Sequence, residues 1–124
     1  MSDDNSEKYA KNYALTLNKI GMAYIGGNEF EKAKKYIIDT IPKMEELVEK
    51  SFISNAIFLA ENYMSAATLE LELGDREKAR FYAEKCDSLL EKYVFLSDDV
   101  SSFYQNNMAF VVFKSTVSLF LSML

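Results

Sequence analysis

A chain of 124 residues, 49% hydrophobic and 27% charged with a net charge of −5, suits one domain with a real core and is too apolar for disorder. Four glycines and one proline cannot supply the many turns of an all-β sandwich. The absence of histidine excludes His-based dyads, HExxH zinc sites and His proton shuttles, and a single cysteine excludes an internal disulfide or a multi-cysteine metal site. The acidic balance argues against nucleic acid and anionic membranes as partners. A lone Cys86 is compatible with a reducing cytosol, so a cytoplasmic chain is expected, without metal or cofactor.

Residues 1–7 (MSDDNSE) are polar and acidic, and lack the basic-then-apolar pattern of a signal peptide. A short disordered tail over 1–6 is therefore expected, followed by a single domain over 7–124. Tyr13, Leu17, Ile20, Gly21 and Tyr24 then fall on one helical face. Gly26-Gly27 is expected to end this helix, with Asn28 capping the next and Glu31 completing a box-like start. Phe30, Ala33, Ile37, Ile41, Met44 and Val48 make the apolar stripe of the second helix. Pro42 lies inside that pattern, where it removes a backbone hydrogen bond and clashes with the Ile38 carbonyl. A kink or break near Thr40 follows, with the helix resuming to about Lys50.

The next segment repeats this plan. NEFEKAKKY over 28–36 aligns with GDREKARFY over 74–82 at an offset of 46 residues. The same offset pairs Ala14 with Ala60, Gly21 with Ala67, Glu45 with Glu91 and Val48 with Val94. Repeat one spans 7–50 and repeat two 52–95. In the second, Ala56, Ala60, Tyr63, Ala67 and Leu71 form one face, Gly74-Asp75 the turn, and Ala79, Ala83, Cys86, Leu90 and Tyr93 the other face. Connections this short make successive helices antiparallel neighbours.

These residues resemble the tetratricopeptide (TPR) repeat, a helix–turn–helix unit of about 34 residues. Leu17, Ile20, Gly21 and Tyr24 resemble its first helix, Asn28-Glu29 its turn, and Ala33 and Ile37 its second helix. Tyr63, Ala66, Ala67, Gly74-Asp75, Ala79, Ala83 and Cys86 do so in repeat two. Small residues at 21, 33, 67 and 79 suit close helix crossing. The longer period, Glu70 in place of an aromatic, Thr40 in place of a small apolar residue and the missing closing prolines make this a long-helix variant.

The resemblance implies a concave groove lined by the first helix of each repeat. Leu15, Asn18, Met22 and Ile25 would face it from repeat one, and Glu61, Met64, Thr68 and Leu71 from repeat two. The cationic set that clamps a carboxylate tail in some such domains is largely missing. A mixed apolar and acidic groove suits a short amphipathic or basic helix.

Ser97, followed by Asp98 and Asp99, reads as the start of a fifth, terminal helix over 98–124. Lys114, Ser115, Ser118 and Ser122 share one arc of it, with Thr116 on the far side. Phe110, Val111, Val112, Phe113, Val117, Leu119, Phe120, Leu121, Met123 and Leu124 fill most of the rest. One intramolecular contact cannot cover so wide an arc. It could pair with a second copy, with Phe110, Phe113, Val117, Phe120, Leu121 and Leu124 at the seam. It could instead bind another protein, or cover a further helix of a longer array.

The expectation is an all-α protein of five antiparallel helices, two TPR-like hairpins plus a terminal helix. It is expected to act without catalysis, by protein–protein association and as a homodimer. The alternatives are a sensor with a small molecule or peptide between the first and third helices, or a small partner-specific chaperone or adaptor. Cys86 is expected to be buried and inert, and Glu45-Glu46, Glu70/Glu72 and Asp98-Asp99 to lie on the surface.

Overall fold

The computed structural model describes residues 3–96 and 107–124, and every element in it is helical. They are α1 (Asp3–Gly26), α2 (Phe30–Ile38), α3 (Ile41–Lys50), α4 (Phe52–Glu72), α5 (Arg76–Phe95) and α6 (Met108–Met123). Helices α2 and α3 are the two halves of one expected helix, so the plan is all-α with five helical arms. Ser97, Asp98 and Asp99, expected to begin the last arm, lie outside the described residues. Helix α1 starts at Asp3, inside the stretch expected to be disordered.

The break falls where Pro42 demands it. Pro42 occupies the first turn of α3, where a missing N–H costs nothing, and the chain steps over Asp39-Thr40. Thr40 is fully buried, yet its hydroxyl donates back to the Tyr36 carbonyl, so no polar group is stranded. The α3–α4 turn is a single residue, Ser51. It is held by the buried Asn55 amide, which donates to the carbonyls of Leu47 and Ser51 at 3.0 Å each.

The α1–α2 and α4–α5 turns have the same backbone geometry, 46 residues apart. Asn28 (φ 61°) and Gly74 (φ 86°) each take the left-handed conformation. At the first turn the Glu29 N–H donates to Tyr24 O (2.9 Å) and the Asn28 N–H to Ile25 O (3.0 Å). At the second, the Asp75 N–H donates to Glu70 O (2.8 Å) and the Gly74 N–H to Leu71 O (3.0 Å). Both are Schellman caps. Asn28 was expected to begin α2; instead it closes α1, and the neighbouring glycines do not take the left-handed position. Asparagine tolerates that conformation, which the adjacent Gly-Gly pair concealed. Residue 29 caps α2 without a side-chain bond, whereas Asp75 Oδ1 accepts from the Lys78 N–H at 2.9 Å.

Helix α4 is the hub, packing against α1, α2, α3 and α5. The core runs through Ala33, Ile37, Met44, Leu59, Ala60, Tyr63, Leu69, Ala83, Cys86 and Leu90. Helix α1 approaches α2 so closely at buried Gly21 that a methyl there would overlap the Ile37 side chain. This close approach rotates α1 from its expected face. Ala14 and Gly21 point inward, while Tyr13 and Ile20 stay exposed.

Candidate interaction surfaces

Helix α6 is seated on α5 by apolar side chains and one cation. Phe110 is 8% exposed and Val117 fully buried, and Phe113 and Leu121 pack half-buried on the same core. The Phe110 ring stacks on Tyr93 with centroids 5.9 Å apart. Lys114 Nζ donates to Asp87 Oδ1 (2.6 Å) and Glu91 Oε1 (3.1 Å), both on α5. Burial would lower the pKa of this ammonium, but the bonds and charges of Asp87 and Glu91 outweigh it and hold the value above the ordinary range.

This seat corrects the expected seam. Phe110, Phe113, Val117 and Leu121 face the chain's own core, and Phe120 and Leu124 are partly buried on the same side of α6. The Lys114 tether fixes the helix rotation, so the aromatic arc beside it turns inward. The opposite side remains open: Met108, Val112, Leu119 and Met123 are 69%, 57%, 61% and 64% exposed. Their spacing of i, i+4, i+11 and i+15 lines them along one stripe of the helix. Thr116 sits within the stripe, and its hydroxyl is satisfied by the Val112 carbonyl at 2.8 Å.

The expected groove residues divide. Glu61, Met64, Thr68 and Leu71 do share one face of α4, but Met64 and Ile25 pack against the core, and the Thr68 hydroxyl turns back to Met64 O at 2.9 Å. Leu15 is half-buried, while Met22 and Leu71 stay exposed. Asn18 is taken up by structure: its Oδ1 accepts from the buried Asn62 amide at 3.1 Å, and that amide also reaches Ile37 O at 3.3 Å. One side chain thus ties α1, α2 and α4 together. Lys11 closes the same junction, its Nζ bonding Ser54 O at 3.2 Å and lying 4.2 Å from the Phe58 ring centre. Side chains fill the space between α1 and α4 at Asn18 and Asn62, whereas towards the start of α1 a cleft of about 380 Å³ opens, lined by Glu7, Lys8, Lys11 and Asn12 on one side and Ser51, Ser54 and Asn55 on the other.

A smaller cleft opens between α4, α5 and α6. It measures about 190 Å³ and is lined by Ile57 and Glu61, Tyr93, and Asn107, Ala109, Phe110 and Phe113. The pKa of the Glu61 carboxyl is raised because surrounding protein removes water from it, with Lys19 on α1 pulling the other way. Glu61 belongs by position to the expected groove, but its aromatic neighbours come from helices that periodicity does not place beside it.

Two acidic groups expected on the open surface are structural. Glu45 accepts the Tyr63 hydroxyl at 2.6 Å and lies 3.7 Å from Lys85 Nζ, joining α3, α4 and α5. Burial, followed by this hydrogen bond and charge, raises the Tyr63 pKa. Glu70 is buried, and its charge helps to raise the pKa of Tyr82, which burial raises most. Cys86 is fully buried, and desolvation pushes its thiol up to about 12, so it is held protonated and unreactive.

Among the described residues, no group of three or more acidic or cysteine side chains converges on one point, and no helix is long and apolar enough to cross a membrane. Comparisons with protein-family models, with curated proteins and with solved structures return no match.

Proposed function

We propose that this chain is a non-enzymatic, TPR-like module of the long-helix type that works in the cytoplasm by protein–protein association. The open stripe of α6 is its contact surface and a second copy its first partner. The observation that carries this reading is the line of Met108, Val112, Leu119 and Met123, all more than half exposed on the side of α6 away from α5. A two-fold axis beside α6 would set each stripe against itself and remove that surface from water. Support for the repeat family comes from the matching caps at Asn28 and Gly74 and from buried small residues at 21, 33, 67 and 79. The cytoplasmic setting is proposed on the single, free cysteine, Cys86, which suits a reducing compartment.

Light scattering across a concentration series tests the reading. The native chain is expected to give twice its monomer mass, and the double variant Val112→Glu/Leu119→Glu a folded monomer. A native monomer at high micromolar concentration overturns self-association. Phe113→Glu serves as the contrast: it buries a charge against the core and should unseat α6.

A further inference from the structure

The cleft between α4, α5 and α6 combines features that select one kind of occupant. Its wall carries three aromatic rings, Tyr93, Phe110 and Phe113, with a single carboxylate, Glu61, at the α4 side. No side chain among the described residues forms an ion pair with Glu61. Lys19 is close enough to be felt electrostatically, but not to bond.

Four occupants can be compared. An anion would meet Glu61 directly and be repelled. A purely apolar group would cover a carboxylate without giving it a partner, which costs more than the apolar contact returns. A divalent metal wants about six oxygen ligands, and this wall supplies few. An organic cation satisfies both components at once, placing its charge near the carboxylate and its carbon surface against ring faces. The chain already uses lysine in this way: Lys32 lies 3.1 Å from Glu29 and 5.7 Å from the Tyr24 ring centre, and Lys85 lies 3.7 Å from Glu45 and 5.0 Å from the Phe81 ring centre.

Size narrows the class further. Pockets for drug-sized ligands run to roughly 300–1,000 Å³, and this one is smaller. It has room for one ammonium head and a few attached carbons, and none for a helix. We infer that the α4–α5–α6 cleft is a binding site for an alkylammonium group, held by the Glu61 carboxylate and by the rings of Phe113, Phe110 and Tyr93. Desolvation already disfavours the charge on Glu61, so a bound cation restores what the surrounding protein has removed.

The group can arrive as a free small cation or on a lysine side chain, and the probes separate these. The full chain is titrated with choline and, in parallel, with 3,3-dimethylbutan-1-ol, its neutral isostere, while the NMR shifts of the Ile57 methyls and the Phe113 ring are followed. Choline should give saturable shifts at both residues, and the isostere should bind about tenfold more weakly or not at all. A blocked lysine amide that binds as well as choline assigns the site to a partner's side chain; weaker binding assigns it to a free quaternary ammonium. Glu61→Gln, at an exposed position, should leave the fold intact and weaken choline by about fivefold or more. Phe113→Leu keeps apolar bulk and should also weaken it.

Absence of saturable shifts with choline overturns the site. So does equal binding of the isostere, or a Glu61→Gln variant that binds like the native chain. None of these outcomes depends on self-association, because Glu61→Gln leaves the open stripe of α6 unchanged.

Discussion

Helices α4 and α6 are both rich in apolar residues, but they are used in opposite ways. Helix α4 buries 11 of its 21 residues among four neighbours, whereas α6 buries two of 16 and rests mainly on α5. Hydrophobic content is therefore not the same quantity as core. What decides is how many sides of a helix other helices cover, and that depends on its position among them. An interior helix hides its faces, while one at the edge keeps a face for something else.

Truncating one leucine in each helix should expose the contrast most strongly. Leu69 is fully buried in α4, and Leu69→Ala should lose about 2–5 kcal/mol, because the transfer free energy goes and a cavity remains. Leu119→Ala removes the same atoms from α6 but opens no cavity in the monomer, so about 0.5 kcal/mol or less is expected. Urea unfolding at low protein concentration measures both. A Leu119→Ala loss that grows with protein concentration would show the stripe covered in solution and sharpen the contrast; an equal loss at every concentration would break it.

The polar fasteners of the two helices differ in reach. Tyr63 joins α4 to α3 through Glu45, so Tyr63→Phe should lower global stability by about 1–2 kcal/mol. Its raised pKa means the folded state favours the protonated phenol. The contribution is fully present below the unfolded tyrosine value of about 10 and is lost as pH rises above it, and Tyr63→Phe should flatten that alkaline decline. Lys114 ties α6 to α5 alone. Lys114→Met should cost about 1 kcal/mol, seen as faster amide exchange in α6 with α5 unchanged. The Lys114 pKa is also raised, so this tether weakens as pH climbs beyond about 10.4, the free lysine value. Uniform acceleration in both helices would mean that α6 is part of the cooperative core.

Much of this plan was legible from sequence where one residue type has one backbone consequence. Pro42 placed the α2–α3 break, Gly74-Asp75 placed the α4–α5 turn, and the Ala79, Ala83, Cys86, Leu90 spacing placed the buried face of α5. What stayed hidden required knowing a neighbour. A helical wheel counts the apolar residues of α6 without saying which third meets α5, and Lys114 settles that only once Asp87 and Glu91 are beside it. The same applies to α1, where Gly21 decides the buried face because α2 comes close enough to need it. Asn62 gave no periodic signal, although its amide bridges three helices. The position of Glu61 is legible in the spacing of α4, but the rings that give it chemical meaning come from α5 and α6.

Exchanging the residues of the two turns should have one of the smallest effects. Residues 28 and 74 take the same left-handed conformation, one as asparagine and one as glycine. Asparagine loses little there, and glycine offsets its ease in the fold by a larger loss of freedom from the unfolded chain. Exchanging them, as Asn28→Gly and Gly74→Asn, should therefore move stability by about 0.5 kcal/mol or less in either direction. Gly74→Ala leaves space for the added methyl, since nothing lies within contact of a Cβ there, so its cost is purely one of backbone conformation. About 1–2 kcal/mol is expected for that change, read from thermal unfolding. If Gly74→Asn costs as much as Gly74→Ala, the two turns are not equivalent, and the 46-residue correspondence loses its backbone support.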